Sequence, residues 1–230
     1  MTVVLLFVAA MLSSAAGAAE TRPVVVELFT SQSCSSCPPA DALLDELSRR
    51  PGVLALGFHV TYCNNTGCKD TLSRPESTER QRDYDRHRTG GQMYTPQMVI
   101  DGSVDAIGSE RAAVLAAIAA AKAEVAAPVA FAADRRSVTI GAGPGTTAPG
   151  TTVLLVRYVR SRITRFVAGE NARRKLTDSN AVSALTALGT WNGGAASFPI
   201  EPPAAGEGIA VLVQAPDGRM LGAASLAAPG

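Results

Sequence analysis

VVVELFTSQSCSSCPPAD, Val24 to Asp41, runs from an apolar, β-branched segment directly into two cysteines and a pair of prolines. Its first seven residues are a continuous run rich in β-branched residues, as expected of a strand buried on both faces. Beyond the prolines, Ala40, Leu43, Leu44 and Leu47 recur at helical spacing until Pro51-Gly52 ends the helix. Cys34 and Cys37 therefore lie between a buried strand and the start of a helix. Thiols so placed can exchange electrons with another protein, hold a metal, or form a structural bridge.

Working outward, VLALGFHV (Val53 to Val60) is a second buried strand. The polar stretch from Thr61 to Gly91 carries Cys63 and Cys68 and then STERQRDYDRHR, which is expected to form an exposed helix. MVIDGSVDAIG predicts two strands joined at Asp101-Gly102, a favoured hairpin turn. Ser109 is positioned to cap a long Ala-rich helix running to about Ala126. The order β-α-β-α-β-β-α predicts an α/β fold, a central mixed sheet flanked by helices. That order resembles the thioredoxin fold, which keeps its redox centre between the first strand and the following helix. From Pro128 onward the character changes. GAGPGTTAPGTT is a turn cluster or short linker, surrounded by the strand-like runs SVTIGAG, TTVLLVRYVRS, ITRFVAGE and IAVLVQAPDGRMLGAASL, the last with a hairpin turn at Asp217-Gly218. The expected division is a signal peptide over 1–19, a thioredoxin-like domain over 20–127, and a β-rich C-terminal domain or extension over 128–230.

A chain of 230 residues can form one domain with a full core or two small ones. With 47% hydrophobic and 18% charged residues it has the composition of a globular protein, not a disordered one. A formal net charge of +1 gives no global reason to expect nucleic acid or acidic lipid as a partner. MTVVLLFVAAMLSSAAGAAE is an apolar run, too short to span a bilayer comfortably, followed by the small-residue pattern Ala16-Gly17-Ala18. It reads as a secretory signal cut near Ala18 or Ala19, although no Lys or Arg precedes its core. No membrane span is expected after cleavage, and the mature chain is expected in the periplasm or secreted. In such a compartment disulfides persist, and all four cysteines (Cys34, Cys37, Cys63, Cys68) lie in the mature chain. Two local pairs are the simplest connectivity among the three that the sequence permits.

Thiol–disulfide exchange requires a thiolate, and unpaired N–H groups at a helix N-terminus lower a cysteine pKa. Cys34 is expected to hold that position and act as nucleophile, with Cys37, shielded one turn on, resolving the mixed disulfide. Ser35 and Ser36 offer hydroxyl and amide donors but no cation. Pro38 and Pro39 are tolerable only in a first helical turn, so the helix starts late or lacks its first hydrogen bond. Thr95-Pro96 opens the strand expected beside the cysteines, and a cis bond there would turn the preceding backbone toward an incoming peptide.

Taken together, ELFTSQSCSSCPPAD, STERQR, YTPQMVIDG, and the later GEN, AVSALTALGTW and AVLVQ…GAASL resemble the DUF1223 family of secreted, thioredoxin-like bacterial proteins. The resemblance spans most of the mature chain. It implies a thioredoxin-like fold with Cys34 and Cys37 as the redox pair and Pro96 as a cis proline, and it supplies no substrate. The chain departs from the family at CNNTGC, where aromatic residues are usual. There Cys63 and Cys68 either staple a surface loop or relay electrons to Cys34 and Cys37.

The leading expectation is an exported thiol–disulfide oxidoreductase that uses Cys34, Cys37, Thr95 and Pro96 on protein thiols or disulfides, without a cofactor or resident metal. A rival is a soft-metal (copper) binding protein using Cys34 and Cys37 with His59, or with Cys63 and Cys68. His59 sits in an apolar run, where a core role is commoner, and His87 lies among exposed charges. A third reading is a disulfide-stapled binding module recognising its partner through Arg157, Arg160, Arg162 and Arg165, although their spacing also suits a solvated strand face. Glu170 and Asn171 of GEN receive no chemistry from the sequence.

Overall fold

The computed structural model describes residues 22–65, 69–88, 92–121, 127–143, 149–165 and 169–227. The expected signal segment, Cys68, and the end of the Ala-rich helix lie outside them.

Strand β1 (Val24–Thr30) is buried along its whole length. It runs parallel to β2 (Val53–His59) and antiparallel to β3 (Gln97–Ile100). The turn at Asp101 and Gly102, both at positive φ, returns the chain as β4 (Val104–Ile107). Helices α1 (Pro38–Leu47) and α3 (Arg111–Ala120) cover one sheet face, where Leu44, Leu47, Val114 and Ile118 meet Val26 and Leu28. Helix α2 (Pro75–Arg88) covers the other, its Tyr84 packed with Phe29 and Phe58.

Strands after residue 128 extend this sheet. β7 (Thr152–Arg165), β8 (Lys175–Thr190), β10 (Glu207–Gln214) and β11 (Met220–Ala227) complete an eight-stranded mixed sheet in the order β11-β10-β7-β8-β2-β1-β3-β4. β5 (Val129–Phe131), β6 (Ser137–Ile140) and β9 (Ala196–Pro199) form a small antiparallel sheet over a third core cluster that includes Trp191. β8 meets β2 through one register pair, Gly57 with Ala181. A side chain at Gly57 would crowd the Ser179 carbonyl and Leu44 at 3.3 Å, so this residue is what lets the strands approach.

Three local expectations change, and one strand is new. The charged segment STERQRDYDRHR is helical but not a fully exposed helix: Ser77, Thr78, Arg80, Gln81, Tyr84 and Asp85 are buried. The physical reason lies in β1, where Glu27 is fully buried and is met by the Arg80 guanidinium, at 3.0 Å from Nη2, and by the Tyr84 hydroxyl. A buried carboxylate needs such partners. Ser109 does not cap α3, which starts at Arg111 with Glu110 at the N-cap and no side-chain cap bond. Ile163 to Arg165 continue β7 and do not open a separate strand. The segment from Lys175 to Thr190, to which the sequence reading assigns no element, is a sixteen-residue strand.

Candidate functional site

The loop after β1 turns twice, through Cys34 N–H to the Ser31 carbonyl (3.1 Å) and Cys37 N–H to the Cys34 carbonyl (3.3 Å). It brings Cys34 and Cys37 into a disulfide with Cα atoms 5.4 Å apart. Cys34 is partly exposed and Cys37 is completely buried.

Cys37, not Cys34, is the N-cap of α1, and Pro38 and Pro39 fill the first helical turn. Neither proline has an N–H to leave unpaired, and the first helical donors, Ala40 (2.9 Å) and Asp41 (3.1 Å), both bond the Cys37 carbonyl. The expectation that helix amides surround Cys34 is therefore corrected. Its sulfur instead has the Ser36 hydroxyl at 3.2 Å and the Thr95 hydroxyl at 3.5 Å.

Thr95-Pro96 is cis, and the Thr95 carbonyl lies 4.0 Å from the Cys34 sulfur. Helix α2 holds this segment: the Gln81 amide donates to the Tyr94 carbonyl (2.7 Å) and to the Gln97 side chain (2.9 Å). The Thr95 hydroxyl also lies 3.5 Å from the sulfur of Cys63, which sits in a short 3-10 turn, Tyr62–Asn65. Burial pushes the Cys63 thiol up, and the charges of Asp70 and Glu170 add to this against the Thr95 hydrogen bond. The pairing of Cys63 with Cys68 falls outside the described residues.

The turn following β7 clasps the cysteine loop. Asn171, buried, donates from Nδ2 to the carbonyls of Gln32 (3.0 Å) and Cys34 (2.9 Å). The Ser35 N–H donates to the Glu170 carboxylate at 3.0 Å. The GEN motif, without a role in the sequence reading, thus lies directly on the CSSC loop.

Beneath the disulfide is a buried polar network. Gln32 donates from its backbone to Asp70 (2.8 Å) and from its side chain to Asp178 (2.7 Å) and Thr164 (3.0 Å). His59 Nδ1 lies 2.8 Å from Asp70, and its Nε2 lies 3.8 Å from Asp178. Burial alone would lower the His59 pKa, but the Asp70 hydrogen bond and the Asp70, Asp178 and Asp41 charges outweigh it and raise it. Asp70 is correspondingly held low, its desolvation offset by His59 and by the Gln32 and Leu72 amides. Burial raises Asp178 against the opposing pull of His59 and Gln32. Asp41, one helical turn after Cys37, accepts from the Thr30 hydroxyl at 2.7 Å, and burial pushes its carboxyl up to about 7.

The structure brings Cys34, Cys37, Cys63, Thr95 and Pro96 together. It turns His59 toward carboxylates, and among the described residues no group of His, Cys, Asp and Glu is arranged to hold a metal ion. His87 is exposed on α2. Sequence reasoning missed Gln32, Asp41, Asp70 and Asp178. Only Asp41 carried a signal, as an acid four residues after Cys37 bordering the apolar stripe of α1.

A family model described as a protein of unknown function, DUF1223, matches residues 25–214. A crystal structure of an Agrobacterium tumefaciens protein is similar at 31% identity and a TM-score of 0.76, covering 91% of this chain and 96% of that one. HBP35 of Porphyromonas gingivalis is similar in fold, with a TM-score of 0.58 at 14% identity over 90% of this chain and 75% of that one. A comparison with curated proteins returns no match.

Proposed function

The chain belongs to the DUF1223 family, and we propose that it is an exported, thioredoxin-like thiol–disulfide oxidoreductase whose redox centre is Cys34–Cys37. One observation carries the reading: a disulfide with one partly exposed and one buried sulfur, faced by the Thr95-Pro96 backbone. Export is supported by the apolar N-terminal run and the small-residue pattern Ala16-Gly17-Ala18 that follows it.

In the reducing direction, the Cys34 thiolate attacks a substrate disulfide. A Cys34–substrate bond forms, and one substrate thiolate leaves. Cys37, having lost its proton, then attacks the Cys34 sulfur. The Cys34–Cys37 bond forms and the second substrate thiolate leaves, so two electrons pass to the substrate. The oxidising direction is the reverse. Asp41 supports the second step: it is a buried carboxyl one turn from Cys37, with a pKa of about 7 suited to accepting the Cys37 proton near neutrality. A Cys34 thiolate would be met by the hydroxyls of Ser36 and Thr95, with no cation on the sulfur among the described residues. Hydroxyl donors of this kind give no ground for a strongly oxidising potential.

The test is trapping. Reduced Cys37→Ser protein, mixed with a disulfide-bonded protein substrate, is expected to accumulate a covalent adduct at Cys34 detectable by intact mass. Cys34→Ser protein is expected to form none at that loop. Wild-type disulfide that resists dithiothreitol in the native state, together with no adduct on Cys37→Ser, defeats the reading.

A further inference from the structure

Resting on that thiol–disulfide reading, we propose that the cationic tip of the β7–β8 hairpin, formed by residues 160–165 and 169–175, is a docking arm for an acidic segment of the protein whose cysteines exchange with Cys34–Cys37. Between Arg160 and Lys175 the sequence carries six cations, Arg160, Arg162, Arg165, Arg173, Arg174 and Lys175, and a single acid, Glu170. The tip therefore has a net charge of +5 in a chain whose total is +1, which leaves −4 for everything else. All six cations are exposed, and among the described residues none forms an ion pair. Arg157, nearer the sheet, is by contrast paired with Glu207.

Fold stability accounts for only part of this concentration: Arg174 donates to Asn171 Oδ1 at 3.0 Å, and the Arg162 charge opposes the cost of burying Asp178. Arg165 stands directly opposite Lys175 in the ladder, and like charges facing each other across strands are destabilising. A solvated strand face needs charges, but it does not need one sign. Ile163, 57% exposed, lies between Arg162 and Arg165 and offers an apolar contact within the cationic tip.

The arm is fixed beside the redox centre from β7 and from the turn that leads to β8. From β7, Thr164 accepts from Gln32 at 3.0 Å. Asn171 and Glu170, in the turn that leads to β8, hold the Cys34 carbonyl and the Ser35 N–H. A molecule attracted to the arm is thereby delivered to Cys34. Nucleic acid or an anionic membrane would also feel the charge, but neither carries the thiol or disulfide that the adjacent sulfur requires. An acidic protein segment carries both. Complementary charge of this kind raises association rates and falls with ionic strength.

The experiment uses reduced full-length mature protein and two synthetic peptides. Both have the same disulfide-bonded cysteine pair, one flanked by aspartates and the other by lysines. Each exchange rate is divided by that peptide's rate with dithiothreitol, which removes intrinsic reactivity. At low ionic strength (about 0.02 M) the acidic peptide is expected to react about tenfold faster than the basic one, the preference fading at about 0.5 M. Arg165→Glu/Arg173→Glu, two exposed positions, is expected to abolish the preference while leaving the protein's rate with a small neutral disulfide unchanged. Equal rates in the wild type, or a preference that survives the double substitution, overturns the docking arm. Tighter binding of the wild type to anionic vesicles than to the acidic peptide overturns it too. Failure of the wild type to react even with the small neutral disulfide instead removes the thiol–disulfide reading on which the arm rests.

Discussion

Replacing Asp41 by Asn should make the oxidised protein more stable at alkaline pH and leave it nearly unchanged at acid pH. Asp41 is buried on the inner side of α1, facing Thr30 of β1, His59 of β2, Asp70 of the following loop and Asp178 of β8. Burial raises its carboxyl from 3.8 to about 7, so the folded state binds the proton more tightly than the unfolded chain. Between these values the folded protein holds a proton that the unfolded chain has released. Stability therefore falls as pH rises, by about 1.4 kcal/mol per unit. Over roughly three units the loss approaches 4 kcal/mol, complete once the pH passes the folded value. Asn keeps an oxygen for the Thr30 hydroxyl but cannot ionise. Guanidinium unfolding of oxidised wild type and Asp41→Asn from about pH 4 to pH 8.5 should give curves that converge at the acid end. They should separate by about 2–4 kcal/mol, in favour of Asn, above neutrality. His59 is raised in both proteins and largely cancels in the difference. Parallel curves across the range would show that Asp41 is not held protonated by burial, and would also remove the support it lends to Cys37 deprotonation.

Asn171→Ala deletes the amide that holds the Gln32 and Cys34 carbonyls; a loss of about 1–3 kcal/mol is expected by denaturant unfolding, with faster proteolysis of the cysteine loop. Glu170→Gln removes a carboxylate from the Ser35 N–H beside Cys34, so alkylation of reduced Cys34 by iodoacetamide near pH 7 should quicken by about two- to fivefold; an unchanged rate would show that solvent screens the charge completely. Arg80→Met leaves Glu27 buried without its cation and should cost about 3–5 kcal/mol, whereas Glu27→Leu/Arg80→Met should recover most of the loss in a thermal melt.

The apolar runs around the cysteines were legible because each has a single physical purpose. Val24 to Thr30 and Val53 to His59 are buried over nearly their full length, and continuous β-branched and apolar sequence follows from that. The Asp101-Gly102 turn was equally plain, since both residues adopt positive φ. Helix α2 misled because a buried Glu27 demands an arginine and a tyrosine on a helix that otherwise has the charge pattern of a solvated one. β8 was hidden for another reason. Its alternation is broken by Asp178, buried as part of the His59 network, and by Asn180, at positive φ and bonded to the Ala55 carbonyl. Long-range polar pairs of this kind leave no periodic trace in the sequence.

Those broken positions also explain how β8 is placed. Its backbone pairs with β2 at one position, Gly57 with Ala181, too little ladder to fix a register by itself. The contacts just before Ala181 are polar and specific: Asn180 reaches the Ala55 carbonyl at 2.8 Å, Ser179 donates to Asp45 of α1 at 2.6 Å, and Asp178 accepts from Gln32 at 2.7 Å. Shifting β8 by one residue would turn Asp178 away from Gln32 and His59 and leave buried polar groups without partners, at a cost of about 1–3 kcal/mol each. A sliding hydrophobic contact would exact no such penalty. The seam therefore gains its precision from polar pairs, one of which, Asp178 with Gln32, also anchors the cysteine loop that the turn after β7 clasps. The acids and amides of β8 accordingly set where Glu170, Asn171 and the cationic tip stand relative to Cys34.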